Sequence, residues 1–109
     1  MDTTQLKNIL KNALEKYAKY SYQELLLIGE EHIFEEHGDP THDINSYWQI
    51  ELDVLQKWLE DGVEVLQVPV RIRDGEGNVL GGDLYFRSDG VVEISENIYR
   101  IDKGVPIKI

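Results

Sequence analysis

The second half of the chain alternates apolar and polar residues in runs separated by glycine-containing turns. The segment from Val63 to Arg73 places four apolar side chains on one face of a strand, namely Leu66, Val68, Val70 and Ile72. The run Asp74-Gly75-Glu76-Gly77-Asn78 is typical of a hairpin turn, so Val79 to Arg87 is predicted to return antiparallel. Shorter strands are predicted at 91–95, 98–101 and 105–109. This pattern limits residues 62–109 to an antiparallel meander, in which Pro69 indicates an edge strand or a bulge.

The N-terminal segment instead repeats apolar residues with the period of a helix. A helix from Thr4 to Lys19 would carry one apolar stripe, made of Leu6, Ile9, Leu10, Ala13, Leu14, Tyr17 and Ala18. Asp2, Thr3 or Thr4 is suited to cap its start.

A second helix is predicted from Tyr22 to His37. Ser21 and Glu24 have the spacing of a capping box, and Gly38 and Pro40 follow the segment as helix-ending residues. Gly29 lies in its middle and predicts a kink or a break there.

Residues 47–61 fit two patterns. Strict alternation from Trp48 to Val54 indicates a strand that would form a hairpin with the next segment. Over a longer window, Trp48, Leu52, Leu55 and Leu59 follow helical spacing, Ser46 and Gln49 have capping-box spacing, and Gly62 suits a helix end. We favour a third helix from Tyr47 to Asp61 and keep the strand as the alternative.

The predicted fold class is therefore α+β, with two or three N-terminal helices packed on one face of a C-terminal antiparallel β-meander. The 109 residues are the length of one domain, so we predict a single domain over 1–109, mainly helical in 1–61 and a sheet in 62–109. No apolar run approaches the roughly 20 residues that span a bilayer. The N-terminus lacks the pattern of a signal peptide, so a cytoplasmic protein without a membrane partner is expected.

The acidic charge of the chain is concentrated in its middle third. The net charge is −10, and residues 30–61 hold ten acidic side chains against one lysine. Such a charge opposes general binding to nucleic acid and predicts a docking surface for a basic protein partner. The partner-binding candidates are the acidic residues near the start of that segment, Glu30, Glu31, Glu35, Glu36, Asp39 and Asp43.

The three histidines, His32, His37 and His42, are weak candidates for a metal site. They fall within eleven residues and among several carboxylates, but His32 and His37 are five positions apart and would not share one face of a helix. With no cysteine in the chain, thiolate sites are excluded, and no cofactor is predicted. Arg71, Arg73 and Arg87 align on the polar face of the predicted sheet, where they either bind an anionic ligand or pair with carboxylates.

Three classes of function follow from these observations. The first is a small acidic interaction protein, of the kind that neutralises a toxin as an immunity protein or antitoxin does, docked through the 30–61 face. The second is a small-molecule binder or enzyme. Helices before a curved sheet can enclose an apolar pocket, as in NTF2-like enzymes, and the lining here would be Trp48, Trp58, Tyr85 and Phe86. The third is a structural homodimer formed through apolar helix faces. No catalytic motif is present, which favours a non-enzyme.

Overall fold

The computed structural model describes residues 1–28, 33–39, 41–52 and 56–108. The described helices and strands are, in chain order, α1 (Thr3–Tyr17), α2 (Tyr22–Ile28), β1 (Ile33–His37), β2 (Trp48–Leu52), β3 (Gln56–Glu60), β4 (Val63–Asp74), β5 (Val79–Arg87), β6 (Val92–Ile94), β7 (Tyr99–Asp102) and β8 (Val105–Lys108). The protein is thus an α+β chain in which helices precede one antiparallel sheet.

Helix α1 begins at a capping box. The side chain of Asp2 accepts a hydrogen bond from the backbone N–H of Gln5 at 2.8 Å, and the Gln5 side chain accepts one from the N–H of Asp2 at 3.0 Å. The apolar stripe of α1 is buried with the sheet residues in one core, and its fully buried members are Leu6, Leu10, Ala13, Leu14 and Tyr17. The predicted first helix is confirmed to within two residues at each end. Because the apolar stripe of α1 is buried in the core, that stripe is not available as the contact surface of a homodimer.

Strand β4 is the centre of the sheet. The hydrogen-bonded order is β1-β2-β4-β5-β7-β8, with β3 also paired to β4 and β6 also paired to β5. Along one edge of β4, residues 70–74 pair with β2 and residues 63–67 pair with β3. Along its other edge, β4 pairs with β5 from Val65↔Arg87 to Arg73↔Val79, as the sequence pattern predicted.

The predicted helix from Tyr22 to His37 is wrong in its second half. The Ser21–Glu24 capping box forms, with the Glu24 N–H donating to Ser21 Oγ at 3.0 Å, but the helix ends at Ile28 and residues 33–37 form β1. Strand β1 pairs antiparallel with β2, which places Glu35 opposite Ile50. The run 33–37 carries no helical apolar stripe, so pairing with the exposed edge of β2 satisfies its backbone instead. The predicted break at Gly29 lies outside the described residues.

The predicted third helix over 47–61 is also wrong, and the strand alternative is correct where the structure describes it. Ser46 Oγ donates to the Asp43 carboxylate at 2.7 Å rather than capping a helix. Asp61 and Gly62 connect β3 to β4 with φ values of 51° and 79°, both positive as a two-residue type I′ hairpin turn requires. Among the described residues the last helix is α2, and strands occupy much of the region that we predicted to be mainly helical.

Pro69 lies where the strand paired with one edge of β4 changes from β2 to β3. Described pairing on this edge of β4 stops at Leu52↔Val70 and resumes at Gln56↔Gln67. Val68 and Pro69 lie between these two stretches of described pairing. Pro69 has no N–H to donate, and it lies in this interval of a central strand, so the edge-strand prediction is wrong. The residues that would form a bulge opposite it lie outside the described part of the chain, so the bulge stays a prediction.

Candidate functional site

The two faces of the sheet have different chemistry. Alternate residues of β4 and β5 face α1 and form the core, among them Val68, Val70, Ile72, Leu84 and Phe86, each with at most 1% of its surface exposed. The other residues of these strands point to the opposite side, which we call the open face, where the polar members include Gln67, Arg71, Arg73, Asp83, Tyr85 and Arg87. The open face therefore carries the functional groups that the core lacks.

Two adjoining clefts lie on the open face. The main cleft has a volume of about 550 Å³ and is bounded by β4, β5 and the hairpin formed by β7 and β8. A second, more polar cleft of about 360 Å³ shares Arg71, Ile101 and Gly104 with the main one. We call the two adjoining clefts together the groove.

Gly81 allows Tyr99 to form one side of the main cleft. Gly81 pairs with Tyr99 across β5 and β7, and a Cβ atom at position 81 would lie 2.6 Å from Cε2 of the Tyr99 ring. The ring therefore rests directly on the backbone of β5. The close approach of a ring to a strand backbone requires glycine at this position.

Asp83 is the centre of a polar cluster in the main cleft. Its Oδ1 atom accepts long hydrogen bonds from Gln67 Nε2 and from the Tyr99 hydroxyl, both at 3.4 Å. Burial raises the pKa of Tyr99 to about 12, and the nearby Asp83 carboxylate adds to the shift while Arg71 opposes it. Tyr99 therefore remains a protonated donor at neutral pH.

Four cationic side chains line the groove: Arg71, Arg73, Lys103 and Lys108. Within the described ranges, no carboxylate oxygen lies within 4.0 Å of any of them. Among the residues that the structure describes, three carboxyl groups also line the groove, those of Glu51, Asp83 and Asp102. The groove is thus a region of positive excess on a chain whose net charge is −10.

Arg87 differs from the other two arginines that the sequence singled out. It lies 3.4 Å from Asp89 and 4.0 Å from Glu60, so its charge is paired with carboxylates. The sequence predicted that the three arginines either bind an anion or pair with carboxylates. Arg87 pairs with carboxylates, whereas Arg71 and Arg73 line the groove. Lys103, Lys108, Gln67 and Tyr99 were not singled out from the sequence, because their place in the groove depends on the registers of β5, β7 and β8.

Of the acidic candidates for partner binding that the structure describes, Glu35 faces away from the side of β1 on which Glu36 is exposed. Glu30 and Glu31 lie outside the described residues. Glu35 faces α1, where its carboxylate lies 2.7 Å from Lys16 Nζ and accepts a hydrogen bond from the Tyr17 hydroxyl. Glu36 follows it in β1, is exposed and pairs with Gln49. Neighbouring residues of a strand point to opposite sides, so Glu35 and Glu36 do not act together.

Asp39 and Asp43 are exposed but serve as acceptors within their own loop. Asp39 accepts hydrogen bonds from the N–H and hydroxyl of Thr41, and Asp43 accepts them from Ser46 and Asn45. These hydrogen bonds hold the pKa of both carboxyl groups below its usual value. The largest effect in each case is the hydrogen bond from a neighbouring hydroxyl. Both side chains stabilise the loop that joins β1 to β2.

The histidines are separated from one another where they are described. The His37 ring stacks on Trp48 with 3.9 Å between ring centroids, and His42 Nδ1 lies 3.7 Å from Asp39. His32 lies outside the described residues. Within the described part of the chain, no group of three or more His, Asp and Glu side chains is close enough together to hold a metal ion.

The four aromatic residues predicted to line a pocket lie in three places. Phe86 is fully buried in the core, and Trp48 packs beside that core on the α1 side. Trp58 and Tyr85 meet on the open face in an edge-to-face contact with 6.2 Å between centroids. The main cleft is thus formed by other residues, on the side of the sheet opposite α1.

Comparison with protein-family models, with curated proteins and with solved structures finds no match to this chain. Among the residues that the structure describes, neither helix is both long and apolar enough to cross a membrane.

Proposed function

We propose that the protein binds a small anionic molecule in the groove of the open face. The observation that supports this most directly is the set of four cationic side chains that line the groove without a described carboxylate within 4.0 Å. A guanidinium group offers a planar set of donors that matches phosphate and carboxylate oxygens. The volumes of about 550 and 360 Å³ lie within the range of small-molecule sites.

The lining of the main cleft also suits the body of such a ligand. Besides Arg71, Asp83 and Lys108, it includes the apolar side chains of Pro69, Ile98, Ile101 and Pro106. Apolar walls with a few placed polar groups are the usual composition of a ligand site. The combination favours a molecule with an anionic end and a less polar body.

The test is a titration of isotope-labelled protein with inorganic phosphate, followed by the chemical shifts of the backbone amides. We expect saturable shifts at the amides of Arg71, Arg73 and Gly104, with a dissociation constant on the order of 1 mM for so small a probe. Arg73→Gln should weaken this binding several-fold. Arg87→Gln makes the same change of charge outside the groove and should leave it unchanged. Shifts that do not saturate, or that are equally weakened in both variants, contradict the proposal.

A second proposal is the docking of a basic protein through the acidic segment 30–61, in the manner of an immunity protein or antitoxin. Supporting it, Glu36, Asp39 and Asp43 are exposed, and in the described ranges no lysine or arginine nitrogen lies within 4.0 Å of their carboxylates. Reversing the charges of Glu30, Glu31 and Glu36 should then abolish salt-sensitive binding of a lysine decapeptide. Binding that persists after this change excludes the acidic surface.

The homodimer stays a prediction without a defined contact. Sedimentation velocity at tens of micromolar protein tests it directly, and a monomer at that concentration excludes it.

A further inference from the structure

Asp83 is an unusual residue for a site that binds an anion, because its carboxylate repels one. It lies in the main cleft with Arg71 and Lys108. Its Oδ1 atom accepts hydrogen bonds from Gln67 and Tyr99, whereas no donor within the described residues lies within hydrogen-bond distance of Oδ2. A carboxylate at this place can accept a hydrogen bond from a donor on the ligand.

The cations and Asp83 are separated along the strands. Asp83 pairs with Pro69, while Arg71 and Arg73 follow two and four residues further along β4 and point to the same face. The midpoint between the two arginines is three residues from Pro69, which is about 10 Å along a strand. Arginine side chains are flexible enough to shorten that distance by a few ångströms.

We infer that the ligand carries two recognition groups, an anion held at Arg71 and Arg73 and a hydroxyl held at Asp83. The inference rests on the proposed function, since it assigns a ligand class to the same groove. A molecule of this class has its hydroxyl about 6–10 Å from its anionic group. Sugar phosphates and polyhydroxy acids both have this chemistry.

The orientation of the ligand follows from the two clefts. Arg73 and Lys103 line the polar cleft, and Asp83 lines the main cleft, with Arg71 shared between them. The anionic group therefore occupies the polar cleft and the hydroxyl-bearing part occupies the main cleft. Tyr99 donates to Asp83 Oδ1 and leaves Oδ2 for the ligand.

The experiment compares four probes by isothermal titration calorimetry: ethyl phosphate, ribose, ribose 5-phosphate and gluconate. Ethyl phosphate has the anion alone, ribose has the hydroxyls alone, and the last two have both. We expect ribose 5-phosphate or gluconate to bind about tenfold more tightly than ethyl phosphate, which is the effect of one hydrogen bond to a charged acceptor. Whichever of the two binds more tightly identifies the anion as phosphate or carboxylate.

Asp83→Asn separates the two recognition groups. It removes the charged acceptor, so binding of the hydroxylated anion should weaken about tenfold, while ethyl phosphate, relieved of a repulsive charge, should bind equally or more tightly. Asp102→Asn is the matched control, since Asp102 also lines the groove but lies away from the main cleft. It should leave the ratio of the two affinities unchanged.

The outcomes distinguish this inference from the proposed function. Equal affinity for ethyl phosphate and for both hydroxylated anions overturns the inference and leaves the anion site in place. Failure of all three anions to bind overturns the proposed function itself. A ratio of affinities that Asp83→Asn leaves unchanged overturns the role of Asp83.

Discussion

Replacing Tyr17 with phenylalanine removes one hydroxyl from a buried contact between α1 and β1 while keeping the aromatic ring. Tyr17 is 2% exposed, and its hydroxyl donates a hydrogen bond to Glu35 Oε2, while Lys16 Nζ lies 2.7 Å from Oε1. The three side chains attach the last turn of the helix to an edge strand of the sheet. We expect Tyr17→Phe to destabilise the fold without changing its core.

The size of the effect follows from the hydrogen bond that is lost. A hydrogen bond to a charged group contributes about 1.5–3 kcal/mol. The Glu35 side chain is 28% exposed, so water can replace part of that interaction in the variant. We therefore expect a loss of about 1–2 kcal/mol in the free energy of unfolding, or a fall in Tm of about 4–10 °C. Urea unfolding followed by circular dichroism measures it.

The pH dependence gives this prediction a second readout. The hydrogen bond from Lys16, followed by that from Tyr17, holds the pKa of Glu35 below its ordinary value of 4.5 in the folded protein. A lowered folded pKa contributes stability that is fully present above pH 4.5 and is lost as pH falls through the folded pKa. Glu35→Gln should therefore be less stable than the natural chain at pH 7, and the difference should shrink below pH 4.

A double-mutant cycle and a control complete the test. Tyr17→Phe and Glu35→Gln should not be additive, because the negative charge that Glu35→Gln removes strengthens the same hydrogen bond that Tyr17→Phe removes. Glu15→Gln changes the same charge on the exposed side of α1 and should alter stability by less than about 0.5 kcal/mol. Additive losses, or a Glu35→Gln effect that is constant from pH 7 to pH 3, would refute the reasoning.

Three further substitutions test the packing. Leu14→Ala should cost about 2–5 kcal/mol by urea unfolding, because Leu14 is 2% exposed in the core; a loss below 1 kcal/mol contradicts the core assignment. Gly75→Ala should lower Tm and shift the amide resonances of residues 41–46, because its Cβ would clash with the Ile44 carbonyl oxygen; an unchanged spectrum contradicts that contact. Gly62→Ala should cost about 1 kcal/mol because its φ is 79° with open space around it; a gain in stability contradicts the turn.

The segments with a single uninterrupted period were predictable from sequence. Helix α1 has one apolar stripe, β4 carries Leu66, Val68, Val70 and Ile72 at alternate positions, and a turn that Asp74 stabilises joins it to β5, so each element is specified by its own residues. The register Arg73↔Val79 then follows from the position of the turn.

Two strands of different phase imitate a helix in the sequence of residues 47–61. Trp48 lies on the α1 side, whereas Trp58 lies on the open face opposite Val65. The apolar positions of β2 and β3 thus lie on opposite faces of the sheet, so their spacing over the whole window approaches 3.6. The dipeptide Asp61-Gly62 suits a two-residue hairpin turn as well as a helix end, and in the structure it forms the hairpin turn.

The groove was only partly predictable. Arg71 and Arg73 were recognisable because both lie on the polar face of one strand. Tyr99 and Lys103 join them through the pairing of Gly81 with Tyr99 and through the tight β7–β8 hairpin. Such contacts between distant segments are set by tertiary packing, which periodicity within one segment does not encode.

The double pairing of β4 has a consequence for how the molecule opens. Its backbone is hydrogen-bonded to β5 on one edge and to β2 and β3 on the other, while one face is covered by the core. Amide protons of β4 can then exchange with deuterated water only when most of the sheet separates. Strand β8, exposed along its whole length and paired with β7, can open by itself. The wall of the groove formed by β4 and β5 is thus held on both edges, whereas the wall formed by β7 and β8 can open locally. A bound ligand should therefore slow amide exchange most in β7 and β8.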